Sequence, residues 1–332
     1  MFEVGNITEI RDIMPILGMS TPCWGFLCFY NVFVVVGGIV GNFIILNSSL
    51  IHHAIKFDKV TLLFVHNLAV ADLVMILLIY VPMLSSLVNR RWVLGEGICW
   101  FVGYFFGVPI VYEVLSVFIM SVYRFCLIMR SKRINEDTAV KAVKIFLAVL
   151  LVTLVGFQLY TAVVGYPPFF KPDLLICMSG VYKAKDTNGT LLTVLNLVLT
   201  VVPVISMVLL NMGLAVKLCL HGARVKRSVP RRTLVALGTV TWCFAVSYSF
   251  VIGHLVLEKV TGQMPWYELT MMYLLGGNVL CNPVIYFVTN KRFRNFVIKG
   301  KLRSLAVSIS RDTRSSKSQS NAEKYSTENE PG

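Results

Sequence analysis

Charged residues are scarce in this chain, at 14% of its 332 residues, while 56% are hydrophobic. Soluble globular domains carry about 25% charged residues. A soluble fold cannot hide this excess of apolar side chain, whereas a bilayer solvates it directly. Acidic residues are scarcer still, 17 against 31 Lys and Arg. No CxxC pair occurs, which removes the usual zinc spacing. Several of the eight cysteines lie inside apolar runs, unlike those of a small disulfide-stapled domain. There is no internal repeat, which argues against a transporter built from repeated halves, and no separate soluble domain. No nucleophile–base or metal constellation points to an enzyme. The first 24 residues lack the charged start, apolar middle and small-residue cleavage site of a signal peptide, so the first apolar run is expected to act as an uncleaved signal anchor.

What the chain does contain is apolar runs of spanning length. A membrane helix needs about 20 mainly apolar residues, and seven segments meet this, at 25–51, 60–88, 98–129, 140–165, 191–218, 233–257 and 266–289. The sequence therefore predicts an all-α bundle of seven membrane-spanning helices. An extracellular segment 1–24 precedes the bundle at 25–289, and an amphipathic cytoplasmic helix 290–303 and a disordered tail 304–332 follow it. No cysteine follows Tyr286, so that helix offers no palmitoylation site.

Lys and Arg set the orientation. With the N-terminus outside, the inner side holds Lys56, Lys59, Arg124, Arg130, Lys132, Arg133, Lys141, Lys144, Lys217, Arg224, Lys226, Arg227, Arg231, Arg232 and ten tail cations. The outer side holds Arg11, Arg90, Arg91, Lys171, Lys183, Lys185 and Lys259, a ratio of 24 to 7. The net charge of +14 is thus a topology signal and an attraction to anionic inner-leaflet lipid; nucleic acid is not needed to explain it. Two glycosylation acceptors, Asn6 and Asn188, fall on the outer side. Cys99 and Cys177 also face that oxidising side and are expected to pair.

Ionisable residues inside spans are functional candidates because they are costly there. Asp72 and Glu113 are the two that stand out. Glu113 lies eleven residues before Arg124, about 16 Å up the helix and near the middle of the hydrocarbon core. Asp72 reaches a similar depth from the same side. Pro203 and Pro283 interrupt backbone hydrogen bonding in the fifth and seventh spans, either to kink them or as architecture alone.

The ordered motifs resemble those of the rhodopsin-like family of G-protein-coupled receptors over nearly the whole chain. Gly41-Asn42 is similar to the family's GN pair, and Leu68-Ala69-Val70-Ala71-Asp72 to its LAxAD motif. Trp92-Val93-Leu94-Gly95 and Cys99 resemble the opening of the third helix, with Arg124 at the family's spacing from Cys99. Asn282-Pro283-Val284-Ile285-Tyr286 is an NPxxY motif, followed by Phe293 at the expected place. Gly103, Gly107 and the stretch Gly165-Tyr166-Pro167-Pro168-Phe169-Phe170 are similar to the opsin and melatonin-receptor branch.

The resemblance implies a plasma-membrane receptor for an extracellular ligand, coupled to heterotrimeric G proteins, with arrestin and a receptor kinase acting on the Ser- and Thr-rich tail. It implies coupling residues Tyr123, Arg124, Phe125, Phe244, Pro283 and Tyr286. It places an ion or proton pocket, with sodium as its occupant, at Asp72, Asn278, Asn282 and the position of Glu113, where the family usually has serine. It places the ligand among Phe106, Gly107, Ile110, Leu195, Leu199, Phe244, Ser247, Tyr248, Met272 and Gly276. Phe106 stands where amine receptors carry aspartate, and Gly276 where opsins carry the retinal-binding lysine. An amine and a retinal Schiff base are therefore not expected, and a small lipophilic molecule or a short peptide is; no other cofactor is implied.

The departures from the family are specific. Tyr123 replaces the acid that pairs with the arginine, which implies raised basal activity or a different lock. The sixth helix reads Cys243-Phe244-Ala245-Val246, without the family's tryptophan and proline, and Trp242 is turned about 100° away. The fourth helix lacks its tryptophan, and Asn211 stands where tyrosine is common. These leave a second reading open, a receptor-shaped protein that does not activate G proteins. Blander readings also stand. Asn42, Asn278 and Asn282 serve as interhelical glue of roughly 1 kcal/mol each. Glu113 serves as a protonated hydrogen-bond donor, and Cys126, Cys219, Cys243 and Cys281 as packing residues.

Overall fold

The structure is a computed structural model, and it describes residues 21–50, 58–129, 135–184, 186–225, 231–261, 265–291 and 293–298. Asn6, Arg130, Lys132, Arg133 and the tail from Ser304 lie outside the described residues. Seven long helices account for almost all of the rest. We label them α1 (Thr21–Leu50), α2 (Lys59–Asn89), α3 (Gly95–Phe105 and Gly107–Met129), α4 (Glu136–Val163), α5 (Thr187–Val225), α6 (Arg231–Thr261) and α7 (Pro265–Thr289). Six are long and apolar enough to cross a membrane, and α6 adds a shorter apolar stretch, Gly238–Gly253. A short helix, α8, covers 293–298. It is started by Asn290, whose side chain accepts from Phe293 N at 3.2 Å.

The second and fourth helices begin at polar caps that satisfy their first N–H groups. Asp58 caps α2, accepting from Thr61 N at 2.9 Å. Asn135 caps α4, accepting from Asp137 N and Thr138 N, and Glu136 and Asp137 follow at the positive end of the helix. Outward faces are apolar, as in Phe29 and Val163 at 71% and 85% exposed, so lipid rather than water is the matching solvent.

Prolines break two helices locally. A π-helical turn, Ile76–Tyr80, precedes Pro82 in α2, and α3 is interrupted at Phe106, just before Pro109. Neither break was expected. Conversely, α5 and α7 run through Pro203 and Pro283 as continuous helices. Small residues on α1 explain its close approach to α7: a Cβ at Gly41 would sit 2.6 Å from Pro283 Cγ, and one at Gly38 would sit 2.7 Å from Val279.

Between α4 and α5 lies a two-stranded antiparallel hairpin, β1 (Phe169–Lys171) with β2 (Ile176–Met178), in which Phe170 pairs with Cys177. Cys177 is disulfide-bonded to Cys99 near the start of α3, with Cα atoms 5.2 Å apart. At the start of α5, Tyr166 Oη donates to Asp186, which holds that carboxyl below its ordinary range.

Candidate functional site

A chain of buried polar side chains runs down the middle of the bundle. Asp72 and Glu113, both fully buried, face each other from α2 and α3, with their carboxyl groups within hydrogen-bonding reach. Ionised, neither owns a hydrogen to give. With one proton between them, one O–H donates to the other group. Asn282 Nδ2 donates to Asp72 Oδ2 at 3.0 Å, and Ser247 Oγ donates to Asn278 Oδ1 at 2.9 Å. Asn278 and Asn282 are four residues apart and so share one face of α7.

The remaining atoms are informative. Asp72 Oδ1, both Glu113 oxygens and Asn282 Oδ1 are buried with no hydrogen-bond donor among the described residues. Leaving a buried charge unpaired costs several kcal/mol, so something must offset this pair. These are hard oxygen atoms of the chemical kind that simple cations take. Titratable groups within electrostatic reach include Tyr80, Tyr248, Cys281 and Tyr286, none of which brings a positive charge.

A second polar network joins α2 and α3. Tyr112 Oη donates to Asn67 Oδ1 at 2.6 Å, and Asn67 Nδ2 donates to Ser116 Oγ at 3.2 Å. Sequence reasoning passed over all three residues.

At the end of the bundle opposite the hairpin, Arg124 is 4% exposed, its Nε and Nη2 have no hydrogen-bond partner among the described residues, and it lies within electrostatic reach of Tyr286 and Asp58. Tyr123 is half-buried and donates to Asp58 Oδ2 at 3.1 Å. Phe125 is half-buried beside Gly213 of α5. Asn211 donates to Met207 O at 2.7 Å within its own helix and so is not directed at Arg124.

At the hairpin end of the bundle lies a small cavity of ≈ 10 Å³, lined by Gly103, Phe106, Gly107, Gln158, Thr161, Ser179, Val181 and Asn196. Two glycines shape it. A Cβ at Gly107 would come 3.3 Å from Gln158 Nε2, and one at Gly103 would come 2.4 Å from Pro168 Cβ. The first admits the amide and the second admits the hairpin. The lining carries four polar side chains and no charge.

Only Phe106 and Gly107 of the sequence-expected ligand residues line this cavity. Ile110, Phe244, Tyr248, Met272 and Ser247 are buried in the closed core. There Phe244 stacks on Tyr248 at 5.9 Å, Tyr248 Oη donates to Ile110 O, and Tyr80 Oη donates to Met272 O. Gly276 lies under the Tyr80 ring, and Leu199 packs with Val108, Val111 and Leu154. Leu195 is 42% exposed and does not line this cavity. Gln158, Thr161, Ser179 and Asn196 were missed. A glutamine within the apolar fourth span was the available signal.

Comparison with known proteins agrees with this architecture. Squid rhodopsin superposes with a TM-score of 0.61 at 16% identity, over 86% of this chain and 87% of that one, which establishes the shared fold. Melatonin receptor type 1A of Mus musculus is 24% identical over 87% of this chain and 86% of its own length. Opsin Rh6 of Drosophila melanogaster is 20% identical over 91% and 87%. The profile of the family described as "7 transmembrane receptor (rhodopsin family)" matches residues 41–286, from Gly41 within α1 to the tyrosine of NPxxY in α7. The chain therefore belongs to the rhodopsin family of G-protein-coupled receptors, multi-pass membrane proteins that respond to extracellular ligands and are not enzymes.

Proposed function

We propose that this receptor binds a small, uncharged, lipophilic ligand from the outer side and passes the signal to heterotrimeric G proteins at the Arg124 end of the bundle. The observation that carries this reading is the cavity lining. Gln158, Thr161, Ser179 and Asn196 supply hydrogen bonds without charge, and Phe106 supplies apolar area. An ammonium or carboxylate entering there would lose hydration without finding a counter-ion. Retinal attachment needs a lysine in α7, and Gly276 stands in its place. At ≈ 10 Å³ the cavity has room for about one water-sized group, so in this reading the ligand places a single polar group there and its remainder lies outside it. A short peptide lying on the outer loops is the second reading, favoured by the hairpin that covers the cavity.

The N-terminus is outside and the C-terminus cytoplasmic, on the 24-to-7 distribution of basic residues. The Asp72–Glu113 pair holds a shared proton or a sodium ion that biases the resting state. Arrestin and a receptor kinase act on the Ser- and Thr-rich tail once the receptor is active.

The test is nucleotide exchange by a panel of purified G proteins with the receptor in lipid discs, screened against neutral lipophilic compounds, amines and peptides. Melatonin, which gives the mouse relative its name, belongs in the first group. A hit from the neutral group should lose potency by about 10-fold in Gln158→Leu, the scale of one buried hydrogen bond. Hits confined to amines or peptides would reject the ligand assignment. Exchange that never exceeds the receptor-free rate would support the non-signalling reading instead.

A further inference from the structure

The acid that restrains the third-helix arginine in this family is absent here, and the residue in its place is Tyr123. The structure shows where Tyr123 points. Its hydroxyl donates to Asp58 Oδ2 at 3.1 Å, across from α3 to the first residue before α2. Asp58 is held from two further sides. Thr61 N donates to Oδ2 at 2.9 Å and Thr61 Oγ1 donates to Oδ1 at 2.7 Å. The start of α2 is anchored in turn to the start of α4, since Lys59 N donates to Glu136 Oε1 at 3.0 Å and Lys59 Nζ pairs with Asp137 at 2.8 Å. Arg124 is buried beside this assembly, with two guanidinium nitrogens unpartnered among the described residues and the Asp58 charge within electrostatic reach.

We infer that Asp58 is the positioning residue for Arg124: its carboxylate supplies, from the second helix and through Tyr123, the negative charge that the family normally carries beside the arginine. The carboxylate is fixed by helix capping, so it does not move with α3, and Tyr123 ties α3 to it. A charge acting at one residue's remove restrains less than a contact ion pair. Charge and tether should therefore be separable. Asp58→Asn is the informative change, because asparagine caps a helix as well as aspartate does and still accepts from Tyr123. It deletes the charge and keeps the fold.

This inference rests on the G-protein reading, so the experiment uses two readouts on the full-length receptor in lipid discs: basal nucleotide exchange, and a spin-label distance between the inner ends of α3 and α6. Asp58→Asn should raise basal exchange about 5-fold, the low end of measured coupling between sites, and lengthen the mean distance. Tyr123→Phe should do the same to a smaller degree. Tyr123→Asp, added to Asp58→Asn, puts an acid back beside the arginine and should return both readouts toward wild type. A purely structural role predicts no such rescue. A distance that shifts and is rescued while exchange is flat in every form would uphold Asp58 and reject G-protein coupling. Wild-type values of both readouts in Asp58→Asn would overturn the inference.

Discussion

Glu113 brings a second carboxyl into a site where one is usual, and both of its oxygens lack a hydrogen-bond donor among the described residues. A buried carboxylate without compensation costs several kcal/mol, so a proton or an ion has to accompany the pair. Glu113→Gln keeps the shape and removes one charge. Wild-type basal exchange is expected to fall as sodium is raised at constant ionic strength, and Glu113→Gln to have lost that response. Glu113→Ser, which restores the family's residue, should keep a weaker version. Equal sodium and pH responses in wild type and Glu113→Gln would remove the pair from the switch. Counting helix rise along the sequence was enough to bring Asp72 and Glu113 to one depth, because 1.5 Å per residue is nearly invariant and both helices enter from the same side. It could not find Gln158, since a search for ionisable groups ignores amides. Leu195 is one residue from the cavity-lining Asn196 and so about 100° round α5 from it.

The third helix shows how far an element can be read from its residues. Its start is marked by Trp92, whose Nε1 donates to Gly95 O at 2.8 Å, and its first turns are fixed by the disulfide to the hairpin. Gly103 is the contact on which the hairpin sits. A methyl group there would meet Pro168 Cβ at 2.4 Å and the Met178 carbonyl carbon at 3.3 Å, and backbone cannot yield as a side-chain tip does. Gly103→Ala is therefore expected to destabilise the receptor by roughly 1–3 kcal/mol, the usual range for overpacking. It should also weaken any ligand that uses the cavity. Gly97→Ala is the control, since no atom lies within 4 Å of its added Cβ and alanine favours helix. Equal thermal midpoints for the two variants would show that the hairpin moves freely. Hydropathy located all seven spans because it averages over many residues. The same averaging hid the breaks before Pro82 and Pro109, each of which turns on one missing N–H.

At the scale of the whole molecule, sidedness is the property that the sequence states most redundantly. Orientation follows Lys and Arg close to the span ends, not net charge over long segments. Even without the far end of the tail, Arg124, Lys141, Lys144, Lys217, Arg231, Arg232, Lys291 and Arg294 stand on one side, and the opposite side has a scattered few. No single error in a span boundary reverses that count. The Tyr123–Asp58 contact has no such redundancy: it joins residues 65 positions apart through one hydrogen bond, and nothing one-dimensional signals it. Topology is thus the more secure expectation and the one on which the others depend, since a ligand beneath the hairpin and a G protein at Arg124 need opposite compartments. An epitope fused to the N-terminus should be stained on intact cells, and one fused to the C-terminus only after permeabilisation. Changing Lys and Arg of 217–232 to Gln should leave that result intact, because the remaining inner cations still outnumber the outer ones. Staining of the C-terminal epitope on intact cells carrying the unaltered sequence would put Arg124 on the outside and remove the basis for coupling.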